Sequence, residues 1–216
     1  MKNKKRLWAF VLGTFTAYSV FASTNYENNK LANTTINNAT KKPHPAVAHH
    51  VGDCYGGGVI IYMNDETSSS AKQHGLIAAL ADIPKSFEWD TQASHQSTVK
   101  TRATLFTGSK NTSAIISTIG ANRARAASAT QHYSQGNYHD WHLPSKDELS
   151  MMYWQPMTHG GDKFWTTCGG TALSGATYWS STQSKSLQAW GLSFAGGVVV
   201  VANKQSPLLV RAIRAF

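Results

Sequence analysis

The sequence predicts an α+β fold: a single domain with a mainly antiparallel sheet and two helices. Three observations carry that prediction. Short β-prone runs follow one another in the C-terminal third, separated by glycine- and asparagine-containing turns. Apolar and small residues recur at three- and four-residue steps over 112–133. Finally, Ser145 and Glu148 stand three apart just before Leu149, which is the spacing of a helix-capping box.

The chain opens with a segment of a different kind. Residues 1–22 have a basic start (Lys2, Lys4, Lys5, Arg6) and an apolar run from Leu7 that ends in Val20-Phe21-Ala22. That is the pattern of a secretory signal peptide. The run is too short, and too interrupted by Gly13, Thr14, Thr16 and Ser19, for a spanning anchor. Residues 23–50 then turn to Asn, Thr, Lys, His and Pro, with no apolar periodicity, and read as a flexible linker. His44, His49 and His50 near its end read as an incidental cluster rather than a metal site.

The folded domain is expected over 51–216. Gly56-Gly57-Gly58 leads into a strand, Val59–Met63; no Lys-Ser/Thr follows, so a phosphate loop is a poor reading. A second strand covers Gly75–Leu80. One long helix is expected over 112–133, carried by Ile115, Ile119, Ala126 and Ala129, and stopped by Gly136 and Asn137. A shorter helix starts after Pro144, with Leu149, Met152 and Tyr153 facing inward. Strands then follow at Tyr178–Thr182, Ala189–Phe194, Val198–Ala202 and Leu208–Phe216.

Charge and cysteine usage fit export. Lys and Arg total 20 against 11 Asp and Glu, but four of the cations and none of the acids lie in the leader, which leaves 16 against 11. A modestly basic exported domain suits polyanionic partners, and no nucleic-acid motif is present. Two cysteines in such a protein most simply mean one disulfide, Cys54 to Cys168, closing a loop whose entropy is worth on the order of 4–5 kcal/mol. The alternatives are two buried thiols or a redox pair, although the spacing is not Cys-x-x-Cys.

No catalytic signature is found. His139, Asp140, His142, Asp147 and Glu148 crowd together, but Glu148 is accounted for by capping and Asp140 by the turn. There is no Gly-x-Ser-x-Gly and no His-Glu-x-x-His. A calcium-type lectin site is also not expected, because Gln155-Pro156 is followed by Met157 and no Trp-Asn-Asp occurs. A non-enzymatic module without cofactor or metal is the resulting expectation.

Three phrases carry a resemblance to a known family: Trp141-His142-Leu143-Pro144-Ser145-Lys146-Asp147-Glu148-Leu149, Tyr178-Trp179-Ser180-Ser181-Thr182 and Val210–Phe216. With Val51-Gly52-Asp53, Gly57-Gly58-Val59-Ile60 and His74–Ala79, they resemble the C-terminal domain of the bacterial collagen-like adhesin Lcl and its relatives. The resemblance implies a domain in the C-type-lectin-like style that is secreted, periplasmic or on the cell surface. It also implies a sulfated glycosaminoglycan or other polyanionic glycan as ligand, and a homotrimer as assembly. The chain departs from that pattern in having no Gly-x-y repeat between leader and domain. The competing expectation is a structural subunit that binds an envelope protein and no glycan.

Within that frame Trp141, Trp179 and Trp190 read as core, and Trp154 and Trp165 as surface platforms flanking the loop 155–163. The ligand-binding candidates are Arg125, Lys146, Trp154, Lys163, Trp165, Lys185 and Lys204, all expected on exposed helix or loop positions. Arg211 and Arg214 are expected on opposite faces of the last strand, at least one of them ion-paired, with Asp147 or Asp53 as the expected partner.

Overall fold

The computed structural model describes residues 48–64, 73–95 and 98–216; the leader, His44 and the linker up to residue 47 lie outside the described residues. Ala46–Phe216 is one compact unit. In chain order the described elements are β1 (Cys54–Tyr55), β2 (Gly58–Met63), β3 (Gly75–Ala79), α1 (Gly108–Ile119), α2 (Arg125–Gln131), α3 (Lys146–Thr158), α4 (Lys163–Thr166), β4 (Thr177–Lys185), β5 (Gln188–Ser193), β6 (Val198–Asn203) and β7 (Ile213–Ala215).

The strands form two antiparallel sheets, ordered β1-β2-β3-β7 and β4-β5-β6. The central strands β2 and β3 of the first sheet are buried on both faces, which explains why they read as nearly unbroken apolar runs. Ile77 and Ala79 enter one core with Trp89, Ile115, Trp141 and Trp179. Leu76 and Ala78, one residue out of phase, enter a second core with Leu149, Met152, Phe164, Trp165 and Tyr178. Each of the three large indoles also has its N–H bonded: Trp89 to Ser180 O, Trp141 to Tyr138 O and Trp179 to Phe87 O. Burial of these rings is thus obtained without an orphaned donor.

The α+β class stands, with several corrections in detail. The helix expected over 112–133 is two helices, because the chain leaves α1 at Gly120 with φ of +84°, a conformation that glycine adopts without strain. A further short helix, α4, gives four among the described residues where two were expected. The strand expected over Leu208–Phe216 is reduced to Ile213–Ala215, with Leu208 and Leu209 making only isolated bridges to Phe87 and Tyr178. Trp190 is half-buried rather than core, because it sits on the less covered face of β5.

Two expectations hold closely. Cys54 and Cys168 are bonded, with their Cα atoms 5.4 Å apart. The capping box is complete: Ser145 Oγ accepts from Glu148 N, and Glu148 Oε2 accepts from Ser145 N at 2.7 Å. Ser145 Oγ also donates to Thr104 O at 2.9 Å, so the cap ties α3 to the loop before α1. A cap of this type is worth about 1 kcal/mol. His49, placed in the linker by composition, already packs on the domain: its backbone is clamped by Gln73 and its ring lies against Tyr55.

Candidate functional site

Residues 99–107 carry no periodic pattern, yet side chains from β4 and α1 fix their path. Gln183 on β4 accepts from Val99 N at 2.9 Å and its own backbone N–H donates to Thr101 Oγ1 at 2.8 Å. The Asn111 carboxamide on α1 takes both polar groups of Arg102, accepting from its N–H at 2.8 Å and donating to its carbonyl at 2.6 Å. Thr182 Oγ1 donates to the same carbonyl at 3.1 Å and accepts from Lys146 N at 3.0 Å. The loop is therefore set by hydrogen bonds to β4, α1 and the start of α3.

That setting places Lys100, Arg102 and Lys110 around one cavity of about 350 Å³, with Phe106, Thr107 and Asn111 also in its wall. All three cations are exposed, and among the described residues none is in an ion pair. The first turn of α1 contains no acidic residue of its own, but the buried Glu148 carboxylate accepts from Gly108 N at 3.3 Å and meets the positive end of that helix from inside the domain, so the field of the cavity rests on the three side chains. Phe106 is 41% exposed and has φ of +60°, an unusual backbone for a bulky residue. Its ring is braced by Tyr62 at 5.8 Å. Unpaired cations beside a held, exposed aromatic ring suit an anionic ligand that also offers a flat apolar face.

The residues expected from sequence fall in different places. Lys146 is half-buried beside this region, 3.5 Å from Asp147 and 5.7 Å from the Trp190 ring centre. Lys185 is exposed at the end of β4, the strand that anchors the loop. Arg125 is exposed but lines a separate shallow cavity with Asn122 and His132. Trp154 is 55% exposed and Lys163 is exposed, and both lie near an apolar cavity of about 180 Å³ bordered by Tyr153, Met157 and Phe194. The structure does not bring Arg125, Lys163 and Lys146 to one surface cavity.

Two expected positions are corrected outright. Trp165 is only 3% exposed: α4 turns both Phe164 and Trp165 inward, and the Arg211 guanidinium stacks over the indole at 5.3 Å. Lys204 is buried, its Nζ donating to Gln183 Oε1 at 2.6 Å and lying 4.3 Å from the Trp89 ring centre. Burial pushes its pKa down to about 8, against the opposing pull of Asp90. Lys204 is a brace for the residue that positions the 99–101 backbone, not an exposed ligand contact.

The terminal arginines are paired, but with other partners than Asp147 or Asp53. Arg211 reaches Asp82 at 2.6 Å, and Arg214 reaches Asp140 at 2.7 and 3.0 Å. Asp140 is therefore an ion-pair partner rather than a turn-fixing side chain.

This is a disulfide-bonded α+β domain, and the disulfide fits an extracellular location. Among the described residues no helix is long and apolar enough to cross a membrane. The model of the Lcl C-terminal domain family matches residues 78–214, and the chain belongs to that family. Membership places it with adhesin-like surface domains. The match begins inside β3, while β1 and β2 precede it and pair onto β3 in the same sheet. No curated protein matches the chain.

Proposed function

We propose that this domain is an exported, non-catalytic binding module whose ligand is a sulfated or otherwise acidic glycan. The observation that carries the reading is the cavity of Lys100, Arg102 and Lys110, with its exposed Phe106 and with none of the three cations in an ion pair among the described residues. Sulfate groups supply the charge that these cations lack, and a pyranose face supplies the apolar surface that Phe106 offers. Lys146 and Lys185 extend the same cationic side along β4 and α3 for a longer chain. A homotrimer of such modules would strengthen binding through linked copies.

The expected result is retention on immobilised heparin that falls steeply between low salt and about 0.5 M, where exposed charges are screened within a few ångströms. Retention on uncharged dextran should be absent. Equal retention on both, or heparin retention that salt does not change, would sink the polyanion reading.

A second reading has one observation in its favour. β6 is an edge strand of the smaller sheet, and Val198, Val199 and Val201 are exposed on it, Val198 by 57%. Bare apolar edges are pairing sites for another chain. A single stoichiometric envelope protein recovered with the native protein, together with a blank glycan array, would favour a structural subunit instead.

A further inference from the structure

A second cavity of about 350 Å³ lies on another face of α1 and has a different chemistry. Ser109 and Ser113 of α1, Gln131 of α2 and His139 of the following loop line it, all exposed, and none has a side-chain hydrogen bond among the described residues. Trp141 and His142 form its inner wall, each at least 95% buried.

His142 defines what the cavity accepts. Its Nδ1 lies 3.4 Å from the Asp140 backbone carbonyl, which can only accept, so Nδ1 carries the proton and Nε2 is the acceptor. Nε2 has no partner. Among the described residues no buried side-chain nitrogen or oxygen lacks a partner, so Nε2 keeps some exposure, and His142 lines this cavity. Burial pushes the His142 pKa down to about 4, and the ring is neutral at pH 7.

Charge selects against ions of either sign. The Asp140 carboxylate also lines the cavity, but two bonds from Arg214 neutralise it. For an anion, the lone pair of Nε2 and the Asp140 oxygens are repulsive, and Arg214 is already committed. For a cation, no unpaired carboxylate is at hand. What remains is an array of hydroxyl, amide and imidazole groups that both donate and accept.

We infer that this cavity is a binding site for an uncharged polyhydroxyl ligand, a neutral sugar unit or sugar alcohol, with one ligand hydroxyl donating to His142 Nε2. Its volume is at the small end of ligand sites, roughly 300–1,000 Å³, which suits one ring rather than a chain. The site is distinct from the cationic cavity and does not depend on it: Ser109 and Ser113 face one, Lys110, Asn111 and Ala114 the other.

The test is a titration of the isotope-labelled protein with D-galactose, N-acetyl-D-glucosamine and sorbitol up to about 100 mM, a range that reaches affinities weaker than millimolar. Amide shifts and the His142 imidazole nitrogen shifts are the readouts. The expected result is saturable shifts at His142 Nε2, Ser113 and Gln131 with at least one probe. Ser113→Trp, an exposed helical position, should fill the cavity and abolish them, and Gln131→Ala should weaken binding roughly 3- to 10-fold. Both variants should keep the heparin retention of the parent, which separates failure here from failure of the polyanion reading. Absence of saturable shifts with all three probes overturns the inference. So do shifts confined to Lys100, Arg102, Phe106 and Lys110, which line the cationic cavity, or shifts that survive both substitutions.

Discussion

Arg211→Met is expected to destabilise the domain by about 3–5 kcal/mol, the range for removing one partner of a buried charged pair. Arg211 is fully buried, and its guanidinium binds Asp82 Oδ1, Ala79 O and Thr171 O while stacking on Trp165. These partners come from the β3 end, the loop after it, the segment before β4, and α4, so one side chain joins four segments of the chain beside the second core. Tyr178 Oη donates to the other Asp82 oxygen at 2.8 Å, which orients the carboxylate but leaves its charge uncompensated when the arginine is gone. Arg211→Lys should recover only part of the loss, because an ammonium cannot reach three acceptors in the guanidinium's fixed fork. Arg214→Met makes the comparison sharp. Its partner Asp140 is largely exposed, so the loss there should be about 1 kcal/mol. Urea unfolding of the three variants gives the values; equal losses at 211 and 214 would contradict the assignment of Arg211 as the keystone.

Loss of the Cys54–Cys168 bond is expected to have the other large effect. The two residues are 114 positions apart, and a loop of that order is worth about 4–5 kcal/mol in unfolded-chain entropy. The bridge joins the exposed β1 edge to the residues just after α4, where Phe164 and Trp165 enter the second core. A Cys54→Ser/Cys168→Ser variant should therefore unfold at much lower urea than the parent. Reductant should shift the parent to the same midpoint and leave the variant unmoved. A variant that unfolds with the parent would show that the bridge constrains nothing that the core does not already hold.

What the sequence revealed and what it hid divide along the range of the interactions. The capping box at Ser145 and Glu148 and the β5–β6 hairpin depend on neighbours a few residues away, and both were legible. The disulfide was legible from compartment and number alone. The break at Gly120 was missed because the apolar spacing on either side stays in phase, so the pattern passes through the glycine. Lys204 was misplaced because Asn203-Lys204-Gln205-Ser206-Pro207 has the composition of an exposed turn, while its partners Gln183 and Trp89 are distant in sequence. Trp165 was misplaced for the same reason: Arg211 covers it from 46 residues away.

The cationic cavity is the feature least legible in the sequence. Lys100, Arg102 and Lys110 sit in a stretch without periodicity, and the bonds that gather them come from Gln183, Asn111 and Thr182. The one local signal was Phe106 amid Thr, Arg and Lys, an aromatic residue with no apolar neighbours to share a core face beyond Leu105. Of the residues expected in a site, Lys146 and Lys185 lie on the elements that frame the cavity, and Arg125 and Lys163 do not.

The central claim is that these three cations bind a polyanion, and one comparison tests it most directly. Heparin affinity is measured against salt for the parent, for Lys100→Ala/Arg102→Ala/Lys110→Ala, and for the charge-matched control Lys85→Ala/Arg125→Ala/Lys163→Ala, three exposed cations that do not line the cavity. The cavity variant should lose most of its affinity, and its slope of log affinity against log salt should fall by roughly two to three, about one per displaced counterion. The control should stay closer to the parent, keeping more than half of that slope. Equal losses in the two variants would mean that heparin senses only net charge, and would contradict the site.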